Sequence, residues 1–384
     1  MSAFSITVQA GDLKSSTWHS SEGKGESLSE LEAWTLPEGD CPEMEMQASG
    51  SVLFCLVLLM PWMELDGQYL YLSQAENIHA YQLCLDGTGL QRHPQAIFSG
   101  HQEDVCRFVL VNSHIVSGGG DGNIVLHKIH GSYSVKFSAH EQEVNCVDFQ
   151  GGLIVSGSRD RTAKVWSLST GRVGQCLHTV QTEDRVWSIA ISPLLRPVAF
   201  PNLSAKLICD RNGLLWTHIT SENLGLREVS EHPGWKGIGG TLIGEVLGYH
   251  LCGQLLTCLG TDFHHGAGVL DVVYETPSLL LSCGYDTYIR YWDIRTSTRK
   301  CVQEWEEPHD SALYCIRTDG NHMIASGSSY YGVVRLWDKR QTQCLQSFHL
   351  SSPTSSPVYC LRFSTTHLYA ALASALHVLD FTAP

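Results

Sequence analysis

The sequence predicts an all-β protein: a seven-bladed β-propeller with a disordered N-terminal arm and an irregular fourth blade. Three observations carry this. A short pattern of Ser, Asp and Trp recurs along the chain. From about residue 66 onward, runs rich in Val, Ile, Leu, Tyr and Phe alternate with Gly, Asp, Asn and Ser turns, and no convincing amphipathic helix interrupts them. Thirty-five Gly and ten Trp in 384 residues fit frequent tight turns with one bulky apolar residue per unit.

The arm comes first. Residues 1–50 hold nine acidic residues and two lysines, so half of the formal net charge of −14 lies there. Ser, Gly and Glu dominate Ser20 to Leu31, the composition of a solvated, disordered segment. The acidic balance argues against sequence-independent nucleic-acid binding, which needs a basic face. The longest apolar run, Val52 to Met60, is nine residues, against about 20 needed to span a bilayer. It reads as a buried strand at the head of a propeller domain covering 51–384. Fourteen Cys are too dilute for a disulfide scaffold, and no secretory leader is visible, so a reducing compartment, cytoplasmic or nuclear, is expected.

The repeat defines the blades. Ser156-Gly-Ser-Arg-Asp160-Arg-Thr-Ala-Lys-Val-Trp166 returns as Ser282-Cys-Gly-Tyr-Asp286-Thr-Tyr-Ile-Arg-Tyr-Trp292-Asp293. It returns again as Ser326-Gly-Ser-Ser-Tyr-Tyr-Gly-Val-Val-Arg-Leu-Trp337-Asp338, and in degenerate form from Ser117 through Asp121 to His127. His101 and His140 each stand twenty residues before Asp121 and Asp160, and His309 holds the matching place before Ser326. This is the Gly-His … Trp-Asp signature of a WD-repeat propeller. Blades are expected near 66–99, 100–138, 139–180, 181–260, 264–307, 308–349 and 357–384. The last copy has three strands and stops, so the run at Val52 to Met60 is expected to pair with it, closing the ring and removing an exposed edge. In the fourth unit an inner strand (Arg185 to Ile191) and an outer strand (Gly253 to Leu259) are clear. Between them, an insert at about 196–252 lacks the pattern. Asp210 to Trp216 has the right spacing for a makeshift hairpin but reads more readily as coincidence, and 217–250 reads as a loop.

The recurring polar residues form a structural network. The turn Asp accepts from His, the His reaches the Ser hydroxyl, and the Ser reaches the indole N–H; such a buried chain stabilises only when every member is paired. His140, Ser156 and Asp160 mimic a hydrolase triad, but the trio recurs where an enzyme needs one nucleophile. No catalytic constellation stands out, and the expectation is a non-catalytic binding module. Cys106, Cys146, Cys315 and Cys360 read as one position of the innermost strand, and Cys176, Cys258, Cys301 and Cys344 as one position of the outermost. Each is a small buried hydrophobe. No Cys-x-x-Cys occurs, His264-His265 lacks partners at metal spacing, and the Gly237-Ile-Gly-Gly240 cluster lacks the strand and helix of a nucleotide cradle, so no metal or cofactor is expected.

Glu141-Gln-Glu-Val-Asn-Cys, Val155 to Trp166, Thr182 to Ser192 and Glu304-Trp-Glu-Glu-Pro-His-Asp310 resemble the F-box/WD-repeat family. The resemblance covers about 61–195 and 253–384 and fails over 1–50 and roughly 196–252. It implies a substrate receptor of a Skp–cullin–F-box ubiquitin ligase, in which an F-box binds the Skp adaptor and the propeller holds the protein to be ubiquitylated. Here only Leu36-Pro37-Glu38 echoes an F-box opening. Gly39, Asp40, Cys41 and Pro42 follow, and Pro42 blocks a helix. The resemblance therefore implies a variant form without an intact F-box, either still a receptor or a decoy or general scaffold.

Partner binding is expected on the loops entering the inner strands. These loops are acidic: Glu103 and Asp104, Glu141 and Glu143, Glu183, and Glu306-Glu307. Such a rim attracts a basic segment. A phosphorylated motif would need clustered Arg instead, for which Arg107, Arg159, Arg161 and Arg185 are the candidates.

Overall fold

The computed structural model describes residues 49–55, 61–85, 89–111, 113–150, 152–168, 172–182, 185–191, 204–209, 213–219, 246–250, 255–259, 268–276, 278–293, 301–307, 312–350, 356–373 and 375–382. The arm before Ser49, the F-box echo, His309, Glu183, Asp210, His264-His265 and the Gly237–Gly240 cluster lie outside them. Every element among the described residues is a strand.

Strand β1 (Ser49–Cys55) precedes the first blade. That blade is β2 (Met63–Asp66), β3 (Tyr69–Gln74), β4 (Asn77–Gln82) and β5 (Ala96–Ser99). The second is β6 (Val105–Val111), β7 (His114–Gly119), β8 (Asn123–Lys128) and β9 (Ser134–Ser138). The third is β10 (Val144–Gln150), β11 (Leu153–Ser158), β12 (Thr162–Ser167) and β13 (Gln175–Gln181). An irregular sheet follows, formed by β14 (Ser188–Ile191), β15 (Ser204–Cys209), β16 (Gly213–Ile219), β17 (Val246–His250) and β18 (Leu255–Leu259). Two more blades are β19 (Val269–Thr276), β20 (Leu279–Gly284), β21 (Tyr288–Asp293) and β22 (Gln303–Glu306), then β23 (Leu313–Thr318), β24 (Met323–Ser328), β25 (Val333–Asp338) and β26 (Cys344–His349). The last contains β27 (Val358–Phe363), β28 (His367–Leu372) and β29 (Ala375–Asp380).

Five blades run antiparallel in chain order, so each is one meander whose second and third strands are buried on both faces against the neighbouring blades. Small residues make this stacking possible. A Cβ on Gly157 would stand 2.3 Å from Val186 Cγ1 and 2.7 Å from Cys146 Sγ, so the Gly of Ser-Gly-Ser is where the next blade's inner strand presses in. Trp166, Trp292 and Trp337 are all buried between sheets.

Ring closure takes the expected form for Val52 to Cys55, while residues 56–60 of the apolar run lie outside the described residues. β1 pairs antiparallel with β29, and the sheet order is β1-β29-β28-β27. The strand begins at Ser49, earlier than the apolar run alone predicts, because pairing with Asp380 through Ala375 sets its length.

The count of seven blades needs correction: six regular four-stranded blades form. The segment expected to supply the fourth builds a five-stranded mixed sheet of order β14-β16-β15-β17-β18. Its inner strand β14 runs parallel to β16, skipping β15, because no Ser–Asp turn follows β14 to fold the chain directly back. The coincidence reading of Asp210–Trp216 is overturned. β15 and β16 pair antiparallel, from Cys209 opposite Leu214 to Ser204 opposite Ile219, with Trp216 inside β16 opposite Leu207. The loop expected over 217–250 contains the end of β16 and all of β17.

The cysteine register is also corrected. Pairing places Arg107 opposite Gly118 as Cys146 is opposite Gly157, so Cys106 matches Asn145 instead. A one-residue offset moves a side chain to the other face of its strand. Cys146, Cys315 and Cys360 are fully buried, whereas Cys106 is half-buried and faces the channel mouth. Among the outer cysteines, Cys176 is exposed, and Cys301 and Cys344 are half-buried.

Candidate functional site

The polar repeat residues assemble in graded fashion. In the third blade the chain is complete: Trp166 Nε1 donates to Ser156 Oγ at 2.8 Å, Ser156 Oγ lies 2.7 Å from His140 Nε2, and His140 Nδ1 is 2.9 Å from Asp160. Burial pushes the His140 imidazole down against the opposing pull of Asp160, which leaves it neutral. A neutral ring donating from Nδ1 accepts the Ser156 proton at Nε2, so every member is satisfied. Ser156 is fully buried and engaged on both sides, so its oxygen meets no substrate.

The second blade keeps His101 at 2.9 Å from both Asp121 and Ser117, but His127 replaces the Trp, and Ser117 donates to the Val125 carbonyl at 3.3 Å. In the next regular blade Trp292 donates to Ser282 at 2.8 Å, while Asp286 accepts from Arg290. In the following blade Trp337 donates to Ser326 at 2.9 Å, and buried Arg335 pairs with buried Glu307. Glu307 is thereby removed from the acidic rim.

The partner-binding candidates lie on the face bearing the loops that enter the inner strands. Glu103, Asp104, Glu143, Arg159 and Arg185 converge there on a shelf of about 500 Å³, together with Cys106, Gly120, Asn145 and Trp187. Glu103 sits directly over Gly120, where a Cβ would come within 2.8 Å of its carboxylate. Arg159 donates to both Glu143 oxygens at 3.1 Å, and Arg185 stands over the Trp187 ring at 5.2 Å. Glu141 and Arg161 are exposed on the same rim, outside the shelf, with Arg161 in a left-handed turn conformation at φ 66°.

Arg107 belongs elsewhere. It is buried on the channel axis, over the Trp62 ring at 4.0 Å, donating to Asp271 at 2.9 Å and to Ser188 at 3.1 Å. Arg362 and Arg317 also face Trp62, at 4.9 and 5.2 Å, and Arg362 pairs with Glu64. Asp271 additionally accepts from Arg317 and from the Ile316 amide. Trp62 therefore plugs the channel, its Nε1 donating to the Phe108 carbonyl at 2.9 Å, and inner strands from all around the ring are tied beneath it. Trp62, Asp271, Arg317 and Arg362 were not singled out as site residues. The available signal was charge at an inner-strand position, as in Cys-Ile-Arg317 and Cys-Leu-Arg362.

Above the plug, the channel mouth is a small cavity of about 70 Å³ walled by Trp187, Leu270, Tyr314 and Tyr359, with Arg107 and Asp271 at its floor. Tyr314 and Tyr359 meet edge-to-face at 5.2 Å. Mouth and shelf share Cys106, Asn145 and Trp187, so they form one concave surface.

Comparisons with known proteins agree with this architecture. The family model described as WD domain, G-beta repeat matches residues 131–167, 256–293 and 299–338. The chain is 60% identical over 280 residues to F-box/WD repeat-containing protein 4 of Mus musculus, covering 72% of this chain and 59% of that protein. The Homo sapiens protein of the same name is also 60% identical, with 58% of its length covered. The chain thus spans somewhat over half the length of these relatives. Among solved structures, the WD40 β-propeller domain of Doa1 superposes with a TM-score of 0.60 over 87% of this chain and 97% of that one, at 14% identity, a likeness of fold. Repeat, topology and identity together show a WD-repeat propeller that is similar, over 72% of its length, to F-box/WD repeat-containing protein 4.

Proposed function

We propose that this chain is a non-catalytic interaction propeller that serves as the substrate-recognition subunit of a Skp–cullin–F-box ubiquitin ligase, directing bound proteins to ubiquitylation and proteasomal degradation in the cytoplasm or nucleus. The observation that carries this is the 60% identity to F-box/WD repeat-containing protein 4 over 72% of the chain. The concave face over the channel mouth holds the substrate, and a rigid ring carrying recognition loops suits that task. The mixed five-stranded sheet keeps the inner ring continuous beside the six blades, since β14 packs between β10 and β19.

A second reading has its own support. Leu36-Pro37-Glu38 is followed by Gly39 and Pro42, which break the helix an F-box needs, so the propeller can act as a decoy or scaffold that holds partners without the ligase. Co-precipitation from cells expressing the tagged full chain separates the two. Recovery of the Skp adaptor and cullin establishes the receptor; recovery of propeller partners without either establishes the decoy.

A further inference from the structure

The face over the channel offers two adjoining environments of different chemistry. The mouth is apolar and aromatic at its walls: Trp187, Leu270, Tyr314 and Tyr359. Its floor leaves neither charge unpartnered, since Arg107 is paired at 2.9 Å with Asp271, which Arg317 engages from the other side. A bare charge of either sign entering the mouth would lose water and meet no uncompensated partner below. An uncharged apolar side chain would lose only unfavourable hydration. The cavity, about 70 Å³, is far below the several hundred Å³ of a small-molecule site, so it takes one side chain and not a cofactor.

The shelf beside it has the opposite character. Three carboxylates (Glu103, Asp104 and Glu143) face two guanidinium groups. Arg159 is already committed to Glu143. Glu103 and Asp104 form no ion pair among the described residues. The field of this group is felt at the shared wall: burial pushes the Cys106 thiol up to about 12, and Glu143, Asp104, Asp121 and Glu103 push in the same direction. Of the arginines that could answer a phosphate, Arg107 is held under the mouth and Arg159 on Glu143, Arg161 lies outside the shelf, and Arg185 alone stands on it beside three carboxylates, over the Trp187 ring.

We infer that this surface reads a two-part linear motif in an extended partner segment: an apolar side chain seated in the mouth, and within about three residues of it a lysine or arginine laid on the Glu103–Asp104 shelf. This deepens the interaction-propeller reading and rests on it. Charge complementarity decides the partner class: a basic, unphosphorylated peptide. Large aromatic walls give the apolar residue its contact area, and the carboxylates attract the cation and set the direction of the segment.

The test uses the full chain as bait for a display library of random nine-residue peptides, followed by affinity measurements on the selected peptides. The expected result is enrichment of peptides pairing Leu, Met or an aromatic residue with a nearby Lys or Arg. Glu103→Lys/Asp104→Lys, both at the surface, should weaken them at least tenfold and abolish the fall in affinity with added salt. Trp187→Ala, checked for folding by its thermal melt, should weaken them at least tenfold with the salt dependence retained. Selection of peptides without a basic residue, selection of acidic peptides, or affinities unchanged in the Glu103/Asp104 variant would overturn the motif. Recovery of the Skp adaptor alongside any of those results leaves the receptor reading standing without it. Loss of the adaptor with the motif still selected removes the ligase role and keeps the motif.

Discussion

Replacing Asp271 with Asn should loosen the whole ring. Asp271 is 2% exposed and sits between Arg107 and Arg317, both turned toward the Trp62 plug. Burial alone would raise its pKa, but the charges of Arg317 and Arg107 outweigh burial and hold it down at about 2, against an ordinary 3.8. At about 1.4 kcal/mol per unit, that difference amounts to about 2 kcal/mol of stability linked to the carboxylate charge. Asn keeps the shape and loses the charge, leaving two guanidinium groups buried without their counter-ion. Breaking a buried pair in this way costs about 3–5 kcal/mol. Denaturant unfolding of wild type and variant at pH 7, followed by tryptophan fluorescence, reads the difference directly. The pH dependence supplies a second check. Because the folded pKa is depressed, the wild-type advantage is fully present above the unfolded value near 3.8 and disappears as pH falls through about 2. A loss below about 1 kcal/mol at pH 7, or a gap between the proteins that stays constant from pH 5 to pH 2, would refute the account of Asp271 as the hub of the ring.

Two further outcomes follow from the blade networks. Ser156→Ala strands the Trp166 indole N–H and His140 Nε2 in a buried site, so it should cost about 1–3 kcal/mol in thermal or denaturant unfolding. It should leave partner binding unchanged, which a catalytic Ser156 would not permit. His127, standing where other blades carry Trp, has its imidazole pushed down by burial to about 4. Its contribution is complete above the unfolded value near 6.5 and lost as pH falls toward about 4, so His127→Phe should give a flatter melting profile than wild type between pH 7 and pH 4.5.

The blades could be read from the chain because their polar network fixes residue types at fixed offsets. Ser156, Asp160 and Trp166 must be four and six residues apart for one hydroxyl to reach both an imidazole and an indole, and the same spacing returns at Ser282, Asp286 and Trp292. Closure by β1 was legible for a different reason, a missing fourth strand at the other end of the chain. The five-stranded sheet was not legible. β14 pairs with a strand beyond the next one, and no turn residue in the sequence announces a skipped neighbour. The register of Cys106 was misread since Val-Cys-Arg and Asn-Cys-Val look alike until pairing shows which residue faces Gly118 or Gly157. The channel plug escaped for the most basic reason. Arg317 and Arg362 repeat one position, two residues after Cys315 and Cys360, but Trp62 and Asp271 have no like residue at matching positions, so no spacing joined the four into one constellation.

The pairing of β1 with β29 has a consequence for how the molecule comes into being. The strands that seal the ring come from its two extremities, and the Glu64–Arg362 pair inside it joins residues 298 positions apart. Contacts of such separation carry a large loop-closure entropy and form late. On the ribosome, every blade through β26 can stack on its predecessor while the first blade still shows an unpartnered flank. Only when Asp380 has emerged can that flank be covered. A product lacking β29 would therefore remain an open arc with exposed strand edges, a form suited to chaperone capture and disposal.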